Sequence, residues 1–176
     1  MKTSQQGIAK IAAHEGERLT AYFDIAGVAT ISVGVTDGVT ADDVRNKRTI
    51  TREESQAMFA MALAPRESAV ERLCTVNPNQ NQFDALVSLV YNIGEGAFAK
   101  STVLRLHNQG DFKGAADAFL MWNKAKVNGV LQPVQGLTNR RKDESKLYLT
   151  PVATTPQLTE SPFARILKLL FSLFKR

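Results

Sequence analysis

Cysteine is almost missing from this chain. Of 176 residues only Cys74 carries a thiol, which excludes an intramolecular disulfide and suits folding in a reducing compartment. Cys74 reads as a small buried apolar residue near a helix end. Histidine is as scarce: His14 and His107 stand far apart, with no metal-ligand spacing between them, so neither a metal nor any other cofactor is expected. No apolar run reaches the roughly 20 residues that a membrane-spanning helix needs. The opening Met1-Lys-Thr-Ser-Gln-Gln has no apolar run at all, so no signal peptide and no N-terminal signal-anchor is expected. Acidic residues are in slight deficit: 22 Lys and Arg against 17 Asp and Glu leave a net charge of +5 and a pI of about 9.5. That balance favours anionic partners such as a bacterial envelope. No nucleic-acid-binding motif accompanies it, and nucleic acid is not expected as a partner.

What is present suffices for a real core, with 44% hydrophobic residues in one modest domain or two lobes sharing a helix. The chain is organised around Glu15 to Thr36. Ile8, Ile11 and Ala12 recur at helical spacing, so a helix over 4–14 ends at Glu15, with Gly16 as its C-cap. Leu19, Ala21 and Phe23 then alternate with more polar neighbours, Asp24 opens a turn containing Gly27, and Thr30-Ile-Ser-Val reads as the returning strand. Helix end, strand, turn and strand can bring Glu15, Asp24 and Thr30 to one rim. Two carboxylates and a hydroxyl there suit glycosidic bond cleavage, which needs an acid for the leaving oxygen and a second group to position water. Glu15, at a helix end beside apolar residues, is the better candidate for the acid, because desolvation favours the protonated carboxyl. Asp24 at a turn stays ionised, and Thr30 can share a water with it. Spacing alone also fits a solvated helix-end Glu15, a turn-forming Asp24 and an ordinary strand threonine.

Downstream, Thr40 caps a short helix. Thr51-Arg-Glu-Glu54 has the form of a capping box and opens a helix carrying Ala57, Met58, Met61 and Ala62. Met58 and Met61 read as core, and Pro65 as a kink or break. A strongly apolar helix over Gln82–Ile93, with Phe83, Leu86, Val87 and Val90 on one face and Gly94 at its end, is the central buried helix. Ser101 caps a helix through Leu106, and another is expected over 112–125. Trp122 suits either core or groove. A loop fills 128–136, and Thr138 caps a last helix over 139–148. The Arg140-Arg141-Lys142 cluster reads as a solvated face.

Several stretches carry a family resemblance: His14-Glu15-Gly16, Leu19, Tyr22, Asp24, Gly27, Thr30-Ile31, then Gln82 to Gly94, Phe98-Ala-Lys-Ser101-Thr, Gly114-Ala-Ala, Trp122 and Gly136 to Glu144. Together, over roughly residues 5–149, they resemble the phage-type lysozymes (endolysins, glycoside hydrolase family 24). The resemblance implies a mainly helical α+β, two-lobed lysozyme-like fold over 1–150, with a small β-hairpin region in an N-terminal lobe (about 15–55) and a helical C-terminal lobe (about 56–150). It implies hydrolysis of the β-1,4 bond between N-acetylmuramic acid and N-acetylglucosamine in peptidoglycan. Glu15 would be the proton donor, with Asp24 and Thr30 around the attacking water on an inverting course. Tyr91, Ser101 and Asn139 match positions that line the sugar groove. It further implies storage in the host cytoplasm until a holin pore releases the protein to the periplasm and cell wall, and a monomer is expected. Two departures stand out: where the family reads Thr-Ile-Gly-x-Gly-His, Ser32 replaces the first glycine and Val35 the histidine.

The resemblance ends before the tail. Residues 151–160 read as a linker. Ser161 and Pro162 open a cationic amphipathic helix over 161–176; over 151–176, Arg165, Lys168, Lys175 and Arg176 against Glu160 carry +3 of the net +5. Phe163, Ile166, Leu167, Leu170, Phe171 and Phe174 form its apolar face. The polar stripe of Ser161, Arg165, Lys168, Ser172 and Lys175, with Arg176 at the end, suits an anionic membrane surface or lipopolysaccharide. The alternatives are a lytic transglycosylase, which needs only the acid, and a mainly membrane-active antibacterial protein whose lysozyme part is inactive.

Overall fold

The structure, a computed structural model, describes residues 1–24, 26–127 and 129–152. The tail helix over 161–176, its membrane contacts and nearly all of the linker therefore lie outside the described residues.

Helix α1 (Gln5–Glu15) is capped by Ser4, whose hydroxyl accepts from the Gly7 amide, and closes on Gly16 in the left-handed region at φ 78°. It leads into an antiparallel hairpin of β1 (Arg18–Phe23) and β2 (Ala29–Ser32). The register sets Tyr22 against Thr30 and Arg18 against Ser32, with an irregularity between them. The outer edge of β1 is covered by the 48–50 segment, through Ala21 to Arg48 and Ile50 to Leu19 backbone bonds of 2.9 Å each. Thr40 and Asp43 form a capping box for α2 (Ala41–Arg45), as Thr51 and Glu54 do for α3 (Arg52–Leu73). Both boxes satisfy amides that a helix start otherwise leaves bare.

Helix α3 touches β2 as well as α1, α4 and α5, so it joins the hairpin to the helical body. It runs through Pro65 without a break. The proline removes one hydrogen bond, to the Met61 carbonyl, and Met61 is 78% exposed, so water can replace it. The buried stripe of α3 is Ser55, Phe59, Leu63 and Val70 rather than the two methionines, which corrects the expected facing of this helix.

Helix α4 (Gln80–Ile93) is the centre of the body: every residue from Gln82 to Val90 is buried, and Gly94 ends it at φ 82°. Around it lie α5 (Glu95–Ala99), α6 (Thr102–Asn108), α7 (Phe112–Ala118) and α8 (Gln135–Leu149), with α8 packed along α4. Cys74 caps α3, and burial pushes its thiol up to about 12. The helix expected over 112–125 stops at Ala118, becomes a 3-10 turn over Phe119–Trp122, and gives way to a second hairpin, β3 (Lys124–Val127) with β4 (Val130–Pro133). Trp122 is half-buried against the core. The loop expected over 128–136 is thus mostly strand and helix. Helix α8 starts at Gln135, and Thr138 sits inside it, its hydroxyl donating back to the Val134 carbonyl at 3.1 Å. No helix among the described residues is long and apolar enough to cross a membrane.

Candidate active site

Glu15 is the last residue of α1, and the turn at Gly16 leaves its side chain free to point off the helix end. Its carboxylate accepts from Arg140 Nη1 of α8 at 2.5 Å and is 25% exposed, against 5% for the arginine. The apolar surroundings expected for Glu15 are therefore replaced by a guanidinium. Arg140 is itself fixed by two further bonds, Nε to Glu144 Oε1 at 3.1 Å and Nη2 to the Ser88 carbonyl at 3.2 Å. Glu144 Oε1 also receives Arg141 Nη2 at 2.8 Å and the Ser88 hydroxyl at 2.5 Å. Arg140 and Arg141 are thus buried, which overturns their reading as a solvated face. The physical reason is Glu144, set three and four residues on, one helical turn away on the same face. Burial pushes the Glu144 carboxyl up and the Arg141 guanidinium down, and their opposite charges pull each back. His14 next door is held below its ordinary value by burial and then by the Arg140 charge.

Glu15, Asn92, Gly136, Asn139 and Arg140 wall an open cleft of about 500 Å³. Asn139, exposed on this wall, is oriented by Gln135, whose amide donates to its Oδ1 at 2.8 Å.

Asp24 and Thr30 flank the closed end of the first hairpin. Asp24 Oδ1 accepts from the Ala26 and Val28 amides at 2.9 and 2.8 Å, so the residue builds its own turn. The Thr30 hydroxyl donates to the Val28 carbonyl at 2.9 Å, and Thr30 is only 2% exposed. With that proton committed, its oxygen can only accept from a further partner. Glu15 precedes the hairpin by three residues, at the end where Arg18 faces Ser32. The far wall of the Glu15 cleft comes from α8.

Tyr91 of α4 bridges the two regions. Its hydroxyl donates to the Val33 carbonyl at 3.4 Å, its ring meets Phe59 edge-on at 5.3 Å, and the Arg66 guanidinium lies 5.3 Å from its centroid. Burial raises its phenol, and the charge of Glu15 adds to the rise. Ser101 is 4% exposed and its hydroxyl accepts from the Leu104 amide at 3.1 Å, which caps α6. Sequence reasoning missed the Arg140–Glu144–Ser88 cluster. The spacing of Arg140 and Arg141 to Glu144 was the available signal.

A helical body, a short hairpin beside it and a carboxylate on a cleft wall define an enzyme of the lysozyme class. The comparisons agree. A family model, Phage lysozyme, matches residues 12–144. The endolysin of Salmonella phage P22 is 45% identical over 151 residues, which cover 85% of this chain and 99% of that one. The endolysin of Acyrthosiphon pisum secondary endosymbiont phage 1 is 40% identical over 84% of this chain and 98% of its own. Among solved structures, a P22 lysozyme mutant superposes with a TM-score of 0.75 at 43% identity, covering 85% of this chain and 99% of that one. The muramidase domain of SpmX from Asticaccaulis excentricus superposes with a TM-score of 0.74 at 37% identity, with the same coverage. The chain belongs to the phage lysozyme family.

Proposed function

We propose that this lysozyme is an endolysin that hydrolyses the β-1,4 bond between N-acetylmuramic acid and N-acetylglucosamine in bacterial peptidoglycan. The observation that carries the reading is Glu15, presented by a helix end on a cleft wall and fixed by a buried arginine. Glu15 gives a proton to the glycosidic oxygen as the bond to the sugar carbon breaks. Water attacks that carbon from the opposite face, passing its proton to Asp24 Oδ2, while the Thr30 oxygen accepts its other hydrogen. The two amide bonds of the Asp24 turn both fall on Oδ1. Asn139 suits sugar hydroxyls and amides, and Tyr91 suits a sugar face. Ser101 keeps the proton of its capping hydroxyl to donate to a sugar group. The division into a lobe of about 15–55 and a helical lobe of about 56–150 follows the same reading. So do a monomer, storage in the host cytoplasm, holin-dependent release and action at the cell wall.

The tail over 161–176 is proposed to bind anionic membrane or lipopolysaccharide, on the strength of its sequence pattern. A lytic transglycosylase needs no water-positioning pair, and the Asp24 turn with Thr30 against it favours hydrolysis. Mass spectrometry of purified peptidoglycan after digestion separates the two. Hydrolysis leaves free reducing N-acetylmuramic acid ends. Anhydro ends in their place would overturn the reading.

A further inference from the structure

We propose that Glu17, Ser55 and Ser32 form a positioning relay that sets the strand carrying Thr30 against the helix end carrying Glu15. The proposal rests on the reading of Glu15 and Thr30 given above. Ser32 is fully buried and holds φ 61°, a left-handed backbone that a residue with a Cβ rarely adopts. Something must hold it there, and its hydroxyl is the evident means. Ser32 Oγ lies 2.7 Å from Ser55 Oγ and 3.1 Å from the Ser55 carbonyl. Ser55 Oγ in turn lies 2.7 Å from Glu17 Oε1.

The direction of the chain follows from chemistry. An ionised carboxylate only accepts, so Ser55 donates to Glu17, and Ser32 must then donate to Ser55. Glu17 is anchored on its other oxygen by Arg52 Nε at 3.4 Å. Ser55 is fully buried in the first turns of α3, so the middle of the relay sits on a rigid element.

The two ends of the relay are what give it a function. Glu17 is two residues past Glu15, across the Gly16 turn. Ser32 is two residues past Thr30, at the start of a tight turn clasped by reciprocal Ile31–Val35 backbone bonds of 2.9 Å. On its other side that turn is held by Tyr91, through the Val33 carbonyl. The turn is thus gripped by α3 and α4 at once, and a slip of β2 relative to α1 would stretch the Ser32–Ser55–Glu17 bonds. A glycine at position 32 would take the same backbone without strain but could not join the chain.

The test compares the full chain with Ser55→Ala, Glu17→Ala, Glu17→Gln, Ser32→Gly and Glu15→Gln. Each is assayed for kcat and KM on a soluble peptidoglycan fragment and for its unfolding midpoint. A small misplacement of reacting groups is costly, so Ser55→Ala and Glu17→Ala should each lower kcat roughly tenfold with KM nearly constant. The double variant should be no worse than either alone, because both break one chain. Glu17→Gln keeps an acceptor for Ser55 and should recover most of the loss. Ser32→Gly should lower kcat without lowering the midpoint. Wild-type kcat in folded Ser55→Ala, Glu17→Ala and Ser32→Gly, beside an inactive Glu15→Gln, overturns the relay alone. Full activity in Glu15→Gln overturns the site reading and the relay with it.

Discussion

Arg140, Arg141 and Glu144 show how little a residue's type reveals of its surroundings. Three charges in a row look like a solvated face, yet both arginines are buried, Arg141 completely. What decides it is Glu144, whose one oxygen collects three donors. Removing one partner of such a buried cluster leaves charge uncompensated, at a cost of about 3–5 kcal/mol. Glu144→Ala should lose stability of that order in urea unfolding, whereas Lys142→Ala, on the exposed side of the same helix, should change it little. His107 gives a second prediction. Its Nε2 faces the Val76 carbonyl at 2.8 Å, so that nitrogen carries the proton, and Nδ1 accepts from the Tyr148 hydroxyl at 2.6 Å. Burial holds the ring below its ordinary value of 6.5, so the folded state favours the neutral form. The associated stability is whole above that value and is lost as pH falls through the folded value, because the unfolded chain takes the proton first. The unfolding midpoint should therefore drop on acidification from about pH 7.5 to about pH 5. His107→Gln should flatten the slope, with His14 supplying a remainder of the same sign. An unchanged slope would contradict this.

At the scale of elements, the helices with cap signals were legible. Thr40, Thr51 and Ser101 each accept from an amide at the start of the expected helix. The second hairpin was not read, although Asn128-Gly129 between Lys-Ala-Lys-Val and Val-Leu-Gln-Pro is a recognised hairpin signal. Its strands are largely exposed on both faces, so no apolar alternation announces them. The facing of α3 was misjudged for a related reason: Ser55 belongs to the buried stripe because its hydroxyl is paired, and hydrophobicity alone rotates the helix toward the methionines. Close packing of α1 against α4 was also hidden. A Cβ on Gly7 would stand 2.6 Å from Asp84 Cγ and 2.8 Å from Thr3 Cγ2. Gly7→Ala should therefore destabilise by about 1–3 kcal/mol through overpacking, despite its better helix propensity. A raised melting temperature would show that α1 can move aside.

At the scale of the whole molecule, the order of motifs was enough for the fold class and the family, because separated motifs in one order constrain the topology more than any single spacing. The geometry of the proposed site was only partly legible. Asp24 and Thr30 are local partners, four and two residues from Val28, whereas the partner of Glu15 comes from α8, and no local pattern foretells a contact over that separation. The tail is a separate matter of function. Removing residues 153–176 leaves the bonds from Asn81 to the Thr150 and Pro151 carbonyls in place. Digestion of purified peptidoglycan should survive that truncation, while leakage of anionic vesicles should be lost. Unchanged leakage would remove the membrane role. The central claim is tested most directly by the rate at which purified peptidoglycan gains reducing ends with wild-type protein and with Glu15→Gln. A folded Glu15→Gln variant should release essentially none. Release at the wild-type rate would contradict the account.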